Sequence, residues 1–248
     1  MRYLVLSDIH ANIDALEAVL TTATPETYDG VLLLGDLVGY GAEPNLVVDR
    51  MSALSPLAAI RGNHDKVATG LESAEGFNPA AARAARWTRD TLTDRTRDYL
   101  RGLQKGPLIV DDLVEICHGS PIDEDAYVFG ELDAAEALNA TRRPVCLFGH
   151  THIPMGATLS PVGTLDMIFH GAHGEGRIEL DPGLRYLFNP GSVGQPRDGD
   201  PRAAFALLDT GLRAIEFRRV AYPVERARDR IIDAGLPKPL GLRLLQGR

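Results

Sequence analysis

Short apolar runs punctuate the first part of the chain, at residues 3–6, 31–34, 57–60, 113–117 and 145–148. They are nearly continuous rather than alternating, which suits strands buried on both faces with helices covering the sheet. After the first run, Ile13, Leu16, Val19 and Leu20 recur at helical spacing behind Asn12, a capping residue, and 45–51 offers a second short amphipathic segment. Asn78-Pro79 is a helix start, followed by the small-residue stripe Ala81, Ala84, Ala85, Thr88 and Leu92. Tyr99, Leu100 and Leu103 predict another helix ending near Gly106-Pro107. Residues 66–106 thus read as a helical insertion placed to overhang whatever the preceding loop builds.

The second half changes character. Stretches 156–168, 176–188 and 203–220 carry turn sequences such as Asp181-Pro182-Gly183 and Asp209-Thr210-Gly211, which favour antiparallel hairpins and imply a second sheet. A tail helix is expected over 224–234, closed by Gly235. No repeat, low-complexity segment or flexible linker divides the 248 residues, so one domain over 1–248 is expected.

Composition narrows the class. Hydrophobic content of 44% and charged content of 24% fit an ordinary globular protein, with no run long enough to cross a bilayer. The first apolar run begins at once, leaving no room for a signal segment, so a cytoplasmic location is expected. Cys117 and Cys146 both fall in apolar runs and read as small buried hydrophobes. A net charge of −8, with basic residues interleaved among acids, makes nucleic acid an unlikely partner, while a small phosphorylated substrate stays compatible with a site whose cations come from metal.

Each of the five runs ends in a polar cluster: Asp8-Ile9-His10, Gly35-Asp36, Gly62-Asn63-His64-Asp65, His118-Gly119 and Gly149-His150-Thr151-His152. Five of the chain's seven histidines lie in these clusters. Ligands of open α/β sheets gather beyond the carboxyl ends of strands, so the loops can converge. Imidazole, carboxylate and amide oxygen together suit Mn²⁺, Fe²⁺, Ni²⁺ or Zn²⁺. One tetrahedral ion does not need seven donors, whereas two ions sharing a carboxylate would use them all.

In this order and spacing, the five motifs resemble the calcineurin-like metallophosphoesterase superfamily, and the later Asn189-Pro190-Gly191-Ser192-Val193-Gly194 resembles its small prokaryotic phosphoesterase branch. The resemblance implies a four-layer α/β sandwich, two facing mixed β-sheets flanked by helices. It implies that Asp8, His10 and His152 hold one metal, that Asn63, His118 and His150 hold the other, and that Asp36 bridges them. His64 would be the catalytic histidine, with Asp65 its orienting partner. The implied activity is hydrolysis of a phosphomonoester or phosphodiester, probed first with Mn²⁺, by attack of a water that the two ions share and acidify, with His64 protonating the departing oxygen.

Other residues stay open. His170 and His173 lie in a Gly-rich stretch that reads as an exposed turn. Arg197 either steadies a phosphate or anchors its loop by an ion pair. Residues 189–194 look like support behind the ligands. Tyr40 and Tyr127 can pack or line an aryl pocket. The competing functions are a protein phosphatase or nuclease of the same superfamily and a non-catalytic binding scaffold. Oligomeric state leaves no mark on the sequence.

Overall fold

The computed structural model describes residues 1–171 and 175–248. Two six-stranded mixed sheets form its centre. In the first, β1 (Arg2–Leu6), β2 (Gly30–Leu33) and β3 (Ala58–Ala59) run parallel, and β11 (Ala203–Asp209), β12 (Ala214–Val220) and β9 (Gly176–Glu179) extend it antiparallel from β1. The second has the order β4 (Leu108–Ile109), β5 (Val114–Ile116), β6 (Val145–Leu147), β10 (Arg185–Asn189), β7 (Met155–Leu159), β8 (Leu165–His170), with β5, β6 and β10 parallel.

The apolar runs are continuous because each strand has two dry faces. Tyr3 and Val5 point between the sheets, where they meet Leu32, Val114, Ile116, Val145, Leu147 and Phe188. Leu4 and Leu6 point the other way, onto α1 (Ile13–Thr22) and α2 (Pro44–Leu54). On the far side, Cys117, Cys146 and Phe148 pack against Ala134 and Leu138 of α6 (Glu131–Ala140). Helix, sheet, sheet, helix is the four-layer sandwich expected. Each fully buried Leu or Phe of these layers contributes about 1.5–3 kcal/mol relative to exposure. The two cysteines are free thiols, Cys146 on β6 and Cys117 just past the end of neighbouring β5, with Sγ atoms 3.6 Å apart.

Several expectations need correction. The second-half strands do not build a sheet of their own: β9, β11 and β12 join the first sheet, and β7, β8 and β10 the second. Asp181-Pro182-Gly183 turns the chain, Asp181 Oδ1 accepting from the Gly183 amide at 2.7 Å, but it carries β9 to the edge of one sheet and β10 to the middle of the other. A turn fixes a local bend, while the partner is chosen by burial: Tyr186 and Phe188 fill the space between the sheets, and Leu187 packs under α6. The third strand is only Ala58–Ala59, and Leu57, at its start, is 53% exposed.

Three helices occupy the expected insertion: α3 (Asn63–Thr69), α4 (Pro79–Thr91) and α5 (Asp94–Arg101). The last stops at Gly102, short of Gly106. Much of this stretch is core, since Leu92, Leu100 and Leu103 pack with Val47, Val48 and Met51. The tail helix α7 (Val224–Asp233) ends as expected, with Gly235 at φ +72°. After it come α8 (Lys238–Leu242) and a 3₁₀ turn (Arg243–Gln246), whose Leu240 and Leu244 cover Ile231. Among the described residues no helix is long and apolar enough to cross a membrane.

Candidate functional site

Five strand ends converge. Asp8 and His10 follow β1, Asp36 follows β2, Asn63 and His64 open α3 after β3, His118 follows β5, and His150 and His152 follow β6. The backbone there is strained: Asp8, His10, Asp36, His150 and His152 all hold φ between +49° and +66°, a region non-glycine residues seldom enter. Such strain persists only where surrounding structure overdetermines it, and it concentrates at functional sites. Two glycines permit close approach, because a Cβ on Gly62 would strike the Asp36 carboxylate and one on Gly149 would strike Ser7 and Asp8.

Hydrogen bonds fix how each donor atom faces. Asp8 Oδ2 accepts from Ser7 Oγ at 2.5 Å and from the His150 amide at 3.1 Å, and Asp36 Oδ1 accepts from the His64 amide at 2.9 Å. Three imidazoles place Nδ1 on a backbone carbonyl: His10 on Val38 (3.0 Å), His118 on Leu34 (2.7 Å) and His152 on Gln195 (2.7 Å). A carbonyl can only accept, so Nδ1 carries the proton and in the neutral ring Nε2 keeps a bare lone pair. Those bare atoms point at one another. His10 Nε2 lies 3.0 Å from His152 Nε2, and Asp36 Oδ2 lies 3.5 Å from Nε2 of both His10 and His118.

Burial and charge then set protonation. Burial pushes Asp8 up to about 6, and it pushes His10 and His152 well below the ordinary imidazole range and His150 down to about 3. His118 is the exception: burial disfavours its cation, but Asp36 overrides this and lifts it to about 10. Asp36 is itself held low, because His118 and His64 outweigh its burial. In the metal-free protein one protonated histidine thus does part of the work of a cation. Where His10 and His152 face each other, two acceptors meet with no donor between them, which calls for a bound cation. Two overlapping groups can hold one: Asp8, His10, Asp36 and His152, and Asp36, His118 and His150, with donor atoms in each within 4.8 Å. The Asn63 amide oxygen stands 3.3 Å from His118 Nε2.

His64 is buried beside this cluster, its ring 4.3 Å from Tyr40, 4.6 Å from Phe77 and 4.9 Å from His10 by centroids. Burial pushes it down to about 4, and Nδ1 has no hydrogen-bond partner among the described residues. Asp65 does not orient it: its two oxygens accept from the amides of Val38 (3.2 Å) and Gly62 (3.0 Å), pinning the loop after β2 and the start of α3. The turn at 189–194 is support, as expected. Ser192 Oγ donates to the Asp8 carbonyl at 2.7 Å, and Asn189 Nδ2 donates to the Gly149 carbonyl at 2.8 Å.

The seven candidate ligands and His64 therefore meet, and five of them, Asp36, Asn63, His64, His150 and His152, line a cavity of about 310 Å³. Its walls include Tyr40 and Tyr127, which the sequence left open between packing and lining a pocket, and residues to which it gave no such role. Tyr127 stacks on His150 at 4.0 Å, Phe77 and Asn78 come from the α3–α4 connection, and Ala81 comes from the first turn of α4. Arg197 lies over the Tyr40 ring at 5.6 Å, and it forms no ion pair among the described residues. Its Nη2 reaches Gln195 Oε1 at 2.9 Å, while Nε is buried without a partner. Of its two sequence readings, the ion-pair anchor is not what the structure has. His170 lies exposed at the end of β8, away from the cluster, and His173 falls outside the described residues.

Behind the rim lies a second charged cluster. Lys66, 1% exposed, donates to Glu72 (3.0 Å), Glu124 (3.2 Å) and Asp125 (2.6 Å), and Arg61 grips Glu124 through Nε and Nη2.

The calcineurin-like phosphoesterase superfamily domain matches residues 1–212. The chain belongs to that superfamily. It is similar to an uncharacterised protein of Methanocaldococcus jannaschii, 36% identical over 98% of this chain and 97% of that protein. The crystal structure of a metallophosphoesterase from Sphaerobacter thermophilus superposes with a TM-score of 0.85 at 35% identity, covering 100% of this chain and 99% of that one. Phosphodiesterase YfcE of Escherichia coli is 25% identical over 87% of this chain and 91% of its own length. Membership makes this calcineurin-like protein a phosphoric ester hydrolase, and its buried His/Asp cluster is where a divalent metal can bind.

Proposed function

We propose that the protein is a two-metal phosphoesterase acting on a small phosphorylated molecule. The observation that carries this is the pair of bare Nε2 atoms of His10 and His152 facing each other beside Asp36, a carboxylate that His118 also faces. In this reading Asp8, His10 and His152 hold one divalent transition ion, Asn63, His118 and His150 hold a second, Asp36 serves both, and Mn²⁺ is the ion to load first. Bound there, the pair supplies Lewis acidity and an activated water for attack at phosphorus.

The chain's own groups do the rest. The Nδ1 bonds of His10, His118 and His152 hold their rings in register. Arg197 takes a phosphoryl oxygen through its unpartnered Nε. His64 protonates the departing oxygen, and because its ring alone is pushed down to about 4, the substrate's negative charge must hold the proton there until transfer. Cys117 and Cys146, free thiols side by side, suit a reducing cytoplasm. A scaffold would need none of these arrangements.

The test is turnover of aryl phosphate monoesters and diesters by exhaustively chelated protein, before and after adding Mn²⁺. Activity should vanish on chelation and return with the ion. Full activity in verified metal-free protein would sink the reading.

A further inference from the structure

We infer that the substrate's leaving alcohol carries a positively charged nitrogen, a quaternary or primary ammonium, held at the mouth of the cavity by Glu75 and Asp125 against Tyr127. This deepens the phosphoesterase reading and rests on it. The cavity has two electrostatically opposite ends. At the floor are the candidate metal ligands and Arg197, the one basic residue among the described cavity-lining residues. At the mouth, three carboxylates line the opening: Glu72 and Glu75 from the α3–α4 connection and Asp125 from the loop after β5.

Among the described residues Lys66 is the one buried counter-ion of Glu72 and Asp125, and it is shared with Glu124. Glu75 forms no ion pair among the described residues. Asp125 spends Oδ2 on Lys66, whereas Oδ1 has no hydrogen-bond partner among the described residues, which leaves part of its charge for an ammonium to meet. His64 and His150, both deeply buried, also leave a ring nitrogen unpartnered in the lining of this cavity, so the space is shaped for a ligand.

The aromatic walls point the same way. Tyr127, 50% exposed, continues from His150 to Phe129 in a run of stacked rings with Tyr127 and Phe129 only 8° from parallel, and Phe77 lines the opposite connection. Exposed aromatic rings beside unsatisfied carboxylates favour a cation by ring quadrupole and by charge. The same rim repels a second phosphate, which argues against nucleoside di- and triphosphates.

The chemistry is unchanged by the ammonium. Water oxygen bonds to phosphorus, the P–O bond to the alcohol breaks, the His64 proton goes to the alcohol oxygen, and a proton released by the water restores His64. The products are an amino alcohol and the phosphate or phosphomonoester.

The experiment uses Mn²⁺-loaded full-length protein and two isosteric esters, choline phosphate and 3,3-dimethylbutyl phosphate, each also as the methyl diester. The choline ester should have the higher kcat/KM by roughly tenfold, as two partly screened charges and a cation–π contact allow. That ratio should shrink as ionic strength rises, and in the Glu75→Gln/Asp125→Asn double variant it should fall to near one. The salt dependence in unmutated protein keeps the test alive if the variant misfolds. A ratio at or below one, with the neutral ester turned over, overturns this proposal and leaves the phosphoesterase reading standing. No turnover of either ester or of any aryl phosphate overturns both.

Discussion

Two buried polar clusters share the same chain segments, the start of α3 and the loop after β5, yet they are built on opposite rules. In one, Lys66 and Arg61 close onto Glu124, Glu72 and Asp125 with opposite charges 2.6 to 3.2 Å apart. In the other, like acceptors crowd together: His10 and His152 present bare nitrogens at 3.0 Å, and Asp36 faces two rings at once. The first cluster also has ordinary backbone, whereas five of the candidate ligands in the second hold positive φ. Charges that satisfy each other make a brace. Acceptors that outnumber their donors, on strained backbone, make a receptor for cations, costly to the fold until something binds.

The largest effect should come from the residue that belongs to both candidate ion positions. Asp36→Asn replaces a shared carboxylate by an amide with one good donor oxygen, so metal content should fall well below two ions per chain and turnover by on the order of 10⁴. Undiminished two-ion occupancy by elemental analysis would show that Asp36 does not bridge. Next comes His64→Ala, which removes a proton donor without touching the ligands. Metal content should hold while turnover of esters with poor leaving groups falls by roughly 10²–10⁴, and esters whose alcohol leaves readily as an anion should suffer less. A uniform loss across leaving groups would make His64 a phosphate-orienting residue instead.

What the sequence revealed and hid follows the same division. The ligand cluster was legible because each member directly follows an apolar run, and a strand's carboxyl end is a local feature. The brace was not, since Lys66, Glu72 and Asp125 meet only after α3 and the post-β5 loop fold together. Asp65 misled for a geometric reason: neighbours on a helix point about 100° apart, so adjacency to His64 in sequence separates the two side chains. Sheet membership of β9 and β10 was hidden likewise, because pairing is non-local and the turn between them specifies only a bend. Tyr127 lies in a stretch with no motif, so the sequence left it open between packing and lining a pocket, and its stacking on His150 places it in the cavity wall.

The brace should respond in stability rather than chemistry. Lys66→Met removes the ammonium that serves three carboxylates and leaves Glu124, 8% exposed, to Arg61 and a more distant, exposed Lys105 at 3.8 Å. Since Glu72 and Asp125 are substantially exposed, the loss should be about 2–3 kcal/mol rather than the full cost of a broken buried pair. Urea unfolding of metal-free protein would measure it. A loss under half that size would make the cluster a surface network of little weight.

The smallest and most selective effect is pH-dependent. Burial alone would raise the Glu124 carboxyl, but hydrogen bonds from Arg61 and the charge of Lys66 prevail and hold it below the ordinary range. A depressed carboxylate pKa stabilises the fold above the unfolded value of about 4.3, and that contribution disappears as pH falls through the folded value. Glu124→Gln, which imitates the protonated acid, should therefore cost roughly 1–2 kcal/mol at pH 6.5 and progressively less below about pH 4. The comparison of the two clusters makes the sign informative. A brace of opposite charges loses its advantage in acid, so the wild-type and Glu124→Gln unfolding curves should converge there. A gap that stayed constant from pH 6.5 to pH 3.5 would mean that Glu124 acts by shape and hydrogen bonding, and the contrast between a charge-satisfied brace and a cation receptor would then rest on the Asp/His cluster alone.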